Sequence, residues 1–170
     1  MTRYALTVDP GVRELRAADH VLHELAAELA LAEGVFGCTH LVRGNRPRVV
    51  LSFTLPVEPF VRTVQERLMA RGLEVRDGVP DPVGRAVLYP GGAALTGTLT
   101  VADVLARSAI DRVTVLGAPG PPDPGTPLVT RDHVRPQWQD GELVLTAMPA
   151  AGGALVPFEV PEPTPCCADH

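Results

Sequence analysis

The segment between Asp9 and Gly34 limits most strongly what this chain can become. Asp9-Pro10-Gly11 is followed by a pattern of about six helical turns, and Gly34 closes it. Leu15, Ala18, Leu22, Leu25, Leu29 and Ala32 recur at alternating spacings of three and four, which puts them on one apolar stripe. Arg13, Arg16, His20, Glu24 and Ala27 fall on the opposite side. A helix with one apolar stripe needs a sheet or a second helix to cover it. The 170 residues suffice for one domain with a real core, or for two small ones. With 45% hydrophobic residues the chain is not generally disordered. No run reaches the roughly 20 apolar residues of a membrane-spanning helix. Met1-Thr2-Arg3-Tyr4 passes straight into a strand pattern without the layout of a signal peptide. The expectation is a cytoplasmic protein with no membrane partner.

Charge narrows the chemistry. All fifteen basic residues are Arg, and there is no Lys. A Walker P-loop, which needs a Lys on the phosphates, is therefore excluded. So is a Schiff-base lysine for pyridoxal phosphate or a carbonyl substrate. A net charge of −5, without an Arg cluster interleaved with aromatics, argues against a nucleic-acid partner.

Along the chain, Arg3 to Asp9 alternates as a half-buried strand, and Asp9-Pro10-Gly11 reads as the turn into the helix. Val35 to Val42 and Arg48 to Leu55 predict a strand hairpin around the loop Arg43-Gly44-Asn45-Arg46-Pro47. Phe60, Val61, Val64 and Leu68 mark a second amphipathic helix ending at Gly72, with Leu73 placed for the hydrophobic contact of a Schellman cap. Leu73-Glu74-Val75 opens a fourth strand. The order β-α-β-β-α-β is that of a ferredoxin-like unit, so residues 1–78 are expected to form an α+β domain of that kind.

Asp77 to Gly84 reads as a linker or long loop. Beyond it, residues 79–160 are expected to form a smaller β-rich subdomain packed on the first. Its signals are the apolar run Ala86 to Tyr89, Thr100 as N-cap of a helix over Val101 to Arg107 with Asp103 at the capping-box position, and a strand at Arg112 to Leu116. Asp140-Gly141 marks a hairpin turn between Val134–Gln139 and Glu142–Met148, and Ala154 to Val160 a last strand. Residues 161–170 form a Pro-rich arm ending in Cys-Cys-Ala-Asp-His.

The β-α-β-β-α-β order, together with Val8-Asp9-Pro10-Gly11 joining the first strand to the first helix, makes residues 3–76 resemble an ACT-type regulatory domain. The resemblance implies that Asp9, Pro10 and Gly11 lie where an amino acid or similar small molecule binds. It also implies a homo-oligomer, because such sites usually lie at a contact between two copies.

Other constellations point elsewhere. Three cysteines without a secretion signal do not make a disulfide scaffold. Cys166, Cys167 and His170 are preferred ligand types for zinc or copper, and Cys38 and His40, which alternate onto one strand face, are placed to complete such a set. The plainer reading of Cys38 and His40 is a small buried Cys and a hydrogen-bonded His. His20 and His23 lie on the polar side of the helix near Arg16, which disfavours a metal, and Asp19 and His23 are spaced to pair. Arg131-Asp132-His133 has the composition of a general acid/base site or of a polar loop. Ser52 and Ser108 lack a Gly-x-Ser-x-Gly elbow. The leading expectation is a non-catalytic small-molecule-binding or regulatory module. The alternative is a zinc- or copper-binding or thiol-redox protein using the Cys/His tail, and the third reading is a Cys/His-dependent enzyme.

Overall fold

A computed structural model describes residues 4–32 and 34–161. Cys166, Cys167 and His170 lie outside the described residues. The described chain is a mixed α+β structure with three α-helices and one large sheet. No described helix is long and apolar enough to cross a membrane.

The elements of the first half are β1 (Tyr4–Val12), α1 (Leu15–Glu28), β2 (Phe36–Val42), β3 (Arg48–Leu55), α2 (Glu58–Ala70) and β4 (Glu74–Asp77). Their strands run in the spatial order β4-β1-β3-β2, each antiparallel to its neighbour. Period-two alternation sends Leu6, Val8, Val49, Leu51, Phe53 and Leu55 to one face of the sheet. There they meet Ala18, Leu22 and Leu25 of α1 and Val64 and Leu68 of α2 in one buried cluster. The opposite face presents Cys38, His40 and Ser52.

The helical stripe of α1 is borne out at Ala18, Leu22, Leu25 and Leu29, all buried, but the helix is shorter than its periodicity suggests. It spans 14 residues, and Ala32 is exposed. Ala30 turns left-handed at φ 48°, the Leu31 N–H reaches the Ala26 carbonyl at 3.0 Å, and the Ala30 N–H reaches Ala27 at 3.2 Å. These are the two bonds of a Schellman stop. At α2 the same motif appears where the sequence signals it, with Leu73 N–H on the Leu68 carbonyl at 3.3 Å and Gly72 N–H on Met69 at 2.9 Å. Glu28 and Arg71 link the two helix ends by an ion pair.

Asp9-Pro10-Gly11 is not the turn into α1. It lies inside β1, where Val8 pairs with Leu51 and Val12 with Val49, so three residues face the single Val50. This is a β-bulge, which accommodates a proline that has no N–H for the ladder. Gly11 sits at φ +73°, and its N–H donates to Asp9 Oδ1 at 3.0 Å.

The second half continues the same sheet. β5 (Arg85–Leu88) pairs with β2 on one side and with β9 (Gln137–Gln139) on the other. Then come β10 (Glu142–Pro149), β11 (Leu155–Pro157), β8 (Pro127–Val129) and β6 (Thr98–Thr100), with β7 (Arg112–Val115) parallel to β10. The strands β6 and β8 carry no sequence signal and were not expected. The capping box at Thr100 is present: its hydroxyl accepts from the Asp103 N–H at 3.1 Å, and Asp103 accepts from the Thr100 N–H at 3.2 Å, starting α3 (Val101–Arg107). A second core cluster, including Tyr89, Val104, Leu128, Leu143 and Leu145, lies in this half and takes in Cys38 of β2.

Candidate functional site

Three clefts and two buried polar clusters carry the chemistry-bearing residues. The first cleft, of about 390 Å³, lies on the face of the first-half sheet that no helix covers. Asp9, Arg48 and Thr7 line it from the strands, Glu74 and Arg76 from β4, and Asp81 from the loop 78–84. The bulge fixes Asp9: one carboxylate oxygen accepts the Gly11 amide, and the other accepts Arg48 Nε at 2.6 Å. Arg76 Nε donates to Glu74 at 3.0 Å. The lining therefore carries Asp9, Glu74, Asp77 and Asp81 against Arg48 and Arg76, four carboxylates minus two guanidiniums, an excess of two negative charges. Of the sequence-predicted ligand residues, Asp9 reaches this cleft; Pro10 and Gly11 serve it through the bulge.

Beside the cleft runs a buried hydrogen-bond chain. His40 Nδ1 lies 3.0 Å from Asp81 Oδ1, and Nε2 lies 2.7 Å from Ser52 Oγ. A carboxylate can only accept, so Nδ1 donates to Asp81, and in the neutral imidazole Nε2 is left to accept from the serine hydroxyl. The connectivity Asp81–His40–Ser52 is that of a nucleophile relay, but Ser52 is only 2% exposed, in the middle of a central strand. Gly84 packs so close to the imidazole that a Cβ there would fall 2.7 Å from His40 Cε1. With the hydroxyl enclosed, the chain's evident effect is to pin the loop 78–84 across the sheet.

Cys38 and His40 share this face, as their alternation predicts. Burial pushes the Cys38 thiol up to about 12, against smaller opposing contacts from Trp138 and Ser52. That holds it as a neutral thiol, a poor nucleophile and a poor ligand. Among the described residues no group of three or more His, Cys, Asp and Glu side chains is gathered as a metal site.

The second polar cluster joins the two halves and was not foreseen. Arg85 donates Nη1 to Asp19 Oδ1 at 2.6 Å and Nη2 to Asp19 Oδ2 at 3.0 Å, forking the carboxylate. Its Nε donates to Glu159 Oε2 at 2.8 Å, and Nη1 also reaches the Thr39 hydroxyl at 3.1 Å. Arg135 Nε joins Asp19 at 3.1 Å, and His133 Nε2 lies 3.0 Å from Glu159. Asp19 thus pairs with Arg85 and Arg135 rather than with His23. Burial alone would raise the Asp19 and Glu159 carboxyls, but their Arg partners outweigh it and hold both below their ordinary values. Burial likewise acts against the Arg85 charge, and the two carboxylates more than offset it. Of Arg131-Asp132-His133, only His133 enters this cluster; Asp132 accepts from the Gly97 N–H at 2.8 Å. A sequence offers no local signal for such pairs, whose members lie up to 116 positions apart.

The other two clefts border this network. One, of about 870 Å³, is lined by Asp19, Arg85, His133 and Glu159 and reaches Pro161. The other, of about 510 Å³, lies between α1 and the segment 87–96. No protein-family model, curated protein or solved structure matches the chain, so a functional reading rests on this geometry alone.

Proposed function

We propose that the protein is a non-catalytic small-molecule-binding module whose ligand occupies the Asp9–Arg48 cleft. The observation that carries the reading is the bulge that fixes an Arg-paired carboxylate at the head of a cleft on the sheet face that no helix covers. Small-molecule sites are concave, partly apolar and furnished with a few fixed polar groups. Val42, Val50 and Pro80 supply the apolar part here. Among the described residues the Arg48 guanidinium is engaged through Nε only, which leaves Nη1 and Nη2 for a ligand carboxylate, and the two surplus negative charges favour a ligand ammonium group. An α-amino acid carries both. The β4-β1-β3-β2 order with two helices on one face supports a ferredoxin-like, ACT-like reading of residues 1–78, and the second core cluster supports residues 79–160 as a β-rich subdomain. Leu41 and Val79, 59% and 49% exposed, line the same cleft and suit contact with a second copy.

The test is a thermal-shift and calorimetric screen of L-amino acids beside their N-acetyl forms, which lack the ammonium charge. The reading expects at least one free amino acid to bind and its N-acetyl form to bind about tenfold more weakly or not at all. Asp77→Asn should weaken binding without unfolding the chain, since the Asp77 side chain holds no hydrogen bond or ion pair among the described residues. Equal binding of free and acetylated forms, or no binding by any amino acid, would overturn it.

A further inference from the structure

Beyond that reading, the cleft of about 510 Å³ between α1 and the segment 87–96 has the features of a second, chemically different site. Its body is apolar: Val35, Val87 and Leu95 are buried in its wall, and Ala26, Leu31 and Ala93 complete it. The segment 91–96 is held close to the core. A Cβ on Gly91 would fall 1.9 Å from the Arg107 carbonyl oxygen, and one on Gly92 2.9 Å from the Tyr89 ring. Tyr89 is itself fixed, donating its hydroxyl to the Val134 carbonyl at 3.0 Å.

The polar end is Arg135, with a side chain only 15% exposed. Its Nε is taken by Asp19 and its Nη1 reaches the Val134 carbonyl at 3.4 Å; among the described residues Nη2 has no hydrogen-bond partner. Its one carboxylate partner, Asp19, is shared with the forked Arg85. Among the described residues the one carboxylate lining the cleft is Asp132, which accepts the Gly97 amide. His23 stands on the same wall, held toward its neutral form first by burial and then by the Arg135 charge, so its imidazole can donate one hydrogen bond. We propose that this cleft binds a small apolar monocarboxylate, with the carboxylate on Arg135 and His23 and the hydrocarbon along Val35, Val87 and Leu95. A largely desolvated guanidinium at the end of an apolar slot favours an anion with an apolar body, whose charge meets the Arg135 charge while its hydrocarbon leaves water.

The probes are 4-methylpentanoate and its neutral isostere 4-methylpentanamide, measured by calorimetry on the full chain. The carboxylate should bind, and the amide should bind at least about tenfold more weakly. Ala26→Phe adds bulk to the slot from α1 while leaving Arg135 in the sequence, and should abolish carboxylate binding in a protein that still melts cooperatively. Arg135→Gln should erase the preference for carboxylate over amide. If that variant does not fold, the amide comparison and Ala26→Phe still decide. The proposal falls if the carboxylate does not bind at millimolar concentration, if the amide binds equally well, or if Ala26→Phe leaves binding unchanged. None of these outcomes depends on the Asp9–Arg48 cleft, where Asp77→Asn serves as the separate control.

Discussion

Cys38 shows how far a single residue's chemistry is set by its surroundings. Its thiol stays neutral because burial penalises the thiolate, and Asp81 nearby adds to that penalty. The unfolded thiol titrates near 9 and the folded one near 12, so the unfolded chain sheds the proton first as pH rises. Cys38 therefore contributes stability that is complete below about pH 9 and is lost between that value and about 12. A reactivity prediction follows from the same burial. In a Cys166→Ser, Cys167→Ser double variant, iodoacetamide near pH 8 should leave the folded protein unlabelled by intact mass, and denaturant should restore labelling. Rapid stoichiometric labelling of the native protein would mean that the loop 78–84 opens far more than its His40–Asp81 pin implies. The shared face of Cys38 and His40 was legible from strand alternation. Their burial is the plainer of the two sequence readings; the partner that completes it, Asp81, is not legible because it lies 41 positions from His40.

Among the elements, those with local punctuation were readable. The Thr100 capping box, the Gly72-Leu73 stop of α2 and the Asp140-Gly141 hairpin all stand where their residues put them. The end of α1 was misread because its Schellman motif places Ala30, not glycine, at the left-handed position. A Cβ there costs roughly 1–2 kcal/mol, partly offset on replacement by the greater unfolded-state entropy of glycine. Ala30→Gly should thus stabilise the chain by about 0.5–1 kcal/mol, read as a raised denaturant midpoint with an unchanged m-value. Gly11→Ala makes the reverse comparison. A Cβ there meets no atom within 4 Å, so φ +73° alone should cost about 1 kcal/mol. A loss much larger than that would show that the bulge also carries the Asp9–Arg48 pair. The short strands β6 and β8, of three residues each, have no periodicity to detect and exist through their pairing.

At the scale of the whole molecule, the junction between the halves combines a sparse ladder with a dense ion network. β5 pairs with β9 only at Arg85 and Gln137, supplemented by Ala86 N–H on the Pro136 carbonyl and Trp138 N–H on the Gly84 carbonyl. Arg85 lies at that junction with both carboxylates on it. Arg85→Met keeps the aliphatic bulk but strands Asp19 and Glu159. Breaking a buried pair in this way costs about 3–5 kcal/mol. The lower end applies because Arg135 stays on Asp19 and the Glu159 side chain is 36% exposed. A loss of about 3 kcal/mol should lower Tm by on the order of 10 °C near pH 7. Acid separates a charge effect from lost packing. In the native protein both carboxyls lie below their ordinary values of 3.8 and 4.5. Their contribution is therefore present above about pH 4.5 and is lost as pH falls through the folded values. In Arg85→Met the lowering by Arg85 is gone, while burial still raises both carboxyls, Arg135 still lowers Asp19 and His133 still lowers Glu159. Both carboxyls therefore move up from their native positions, and the variant has less pairing to lose as pH falls. The gap in Tm between the two proteins should consequently narrow from pH 7 towards pH 3.5. A gap that stays constant across that range would assign the loss to packing around the guanidinium and would remove the ion network as the link between the halves.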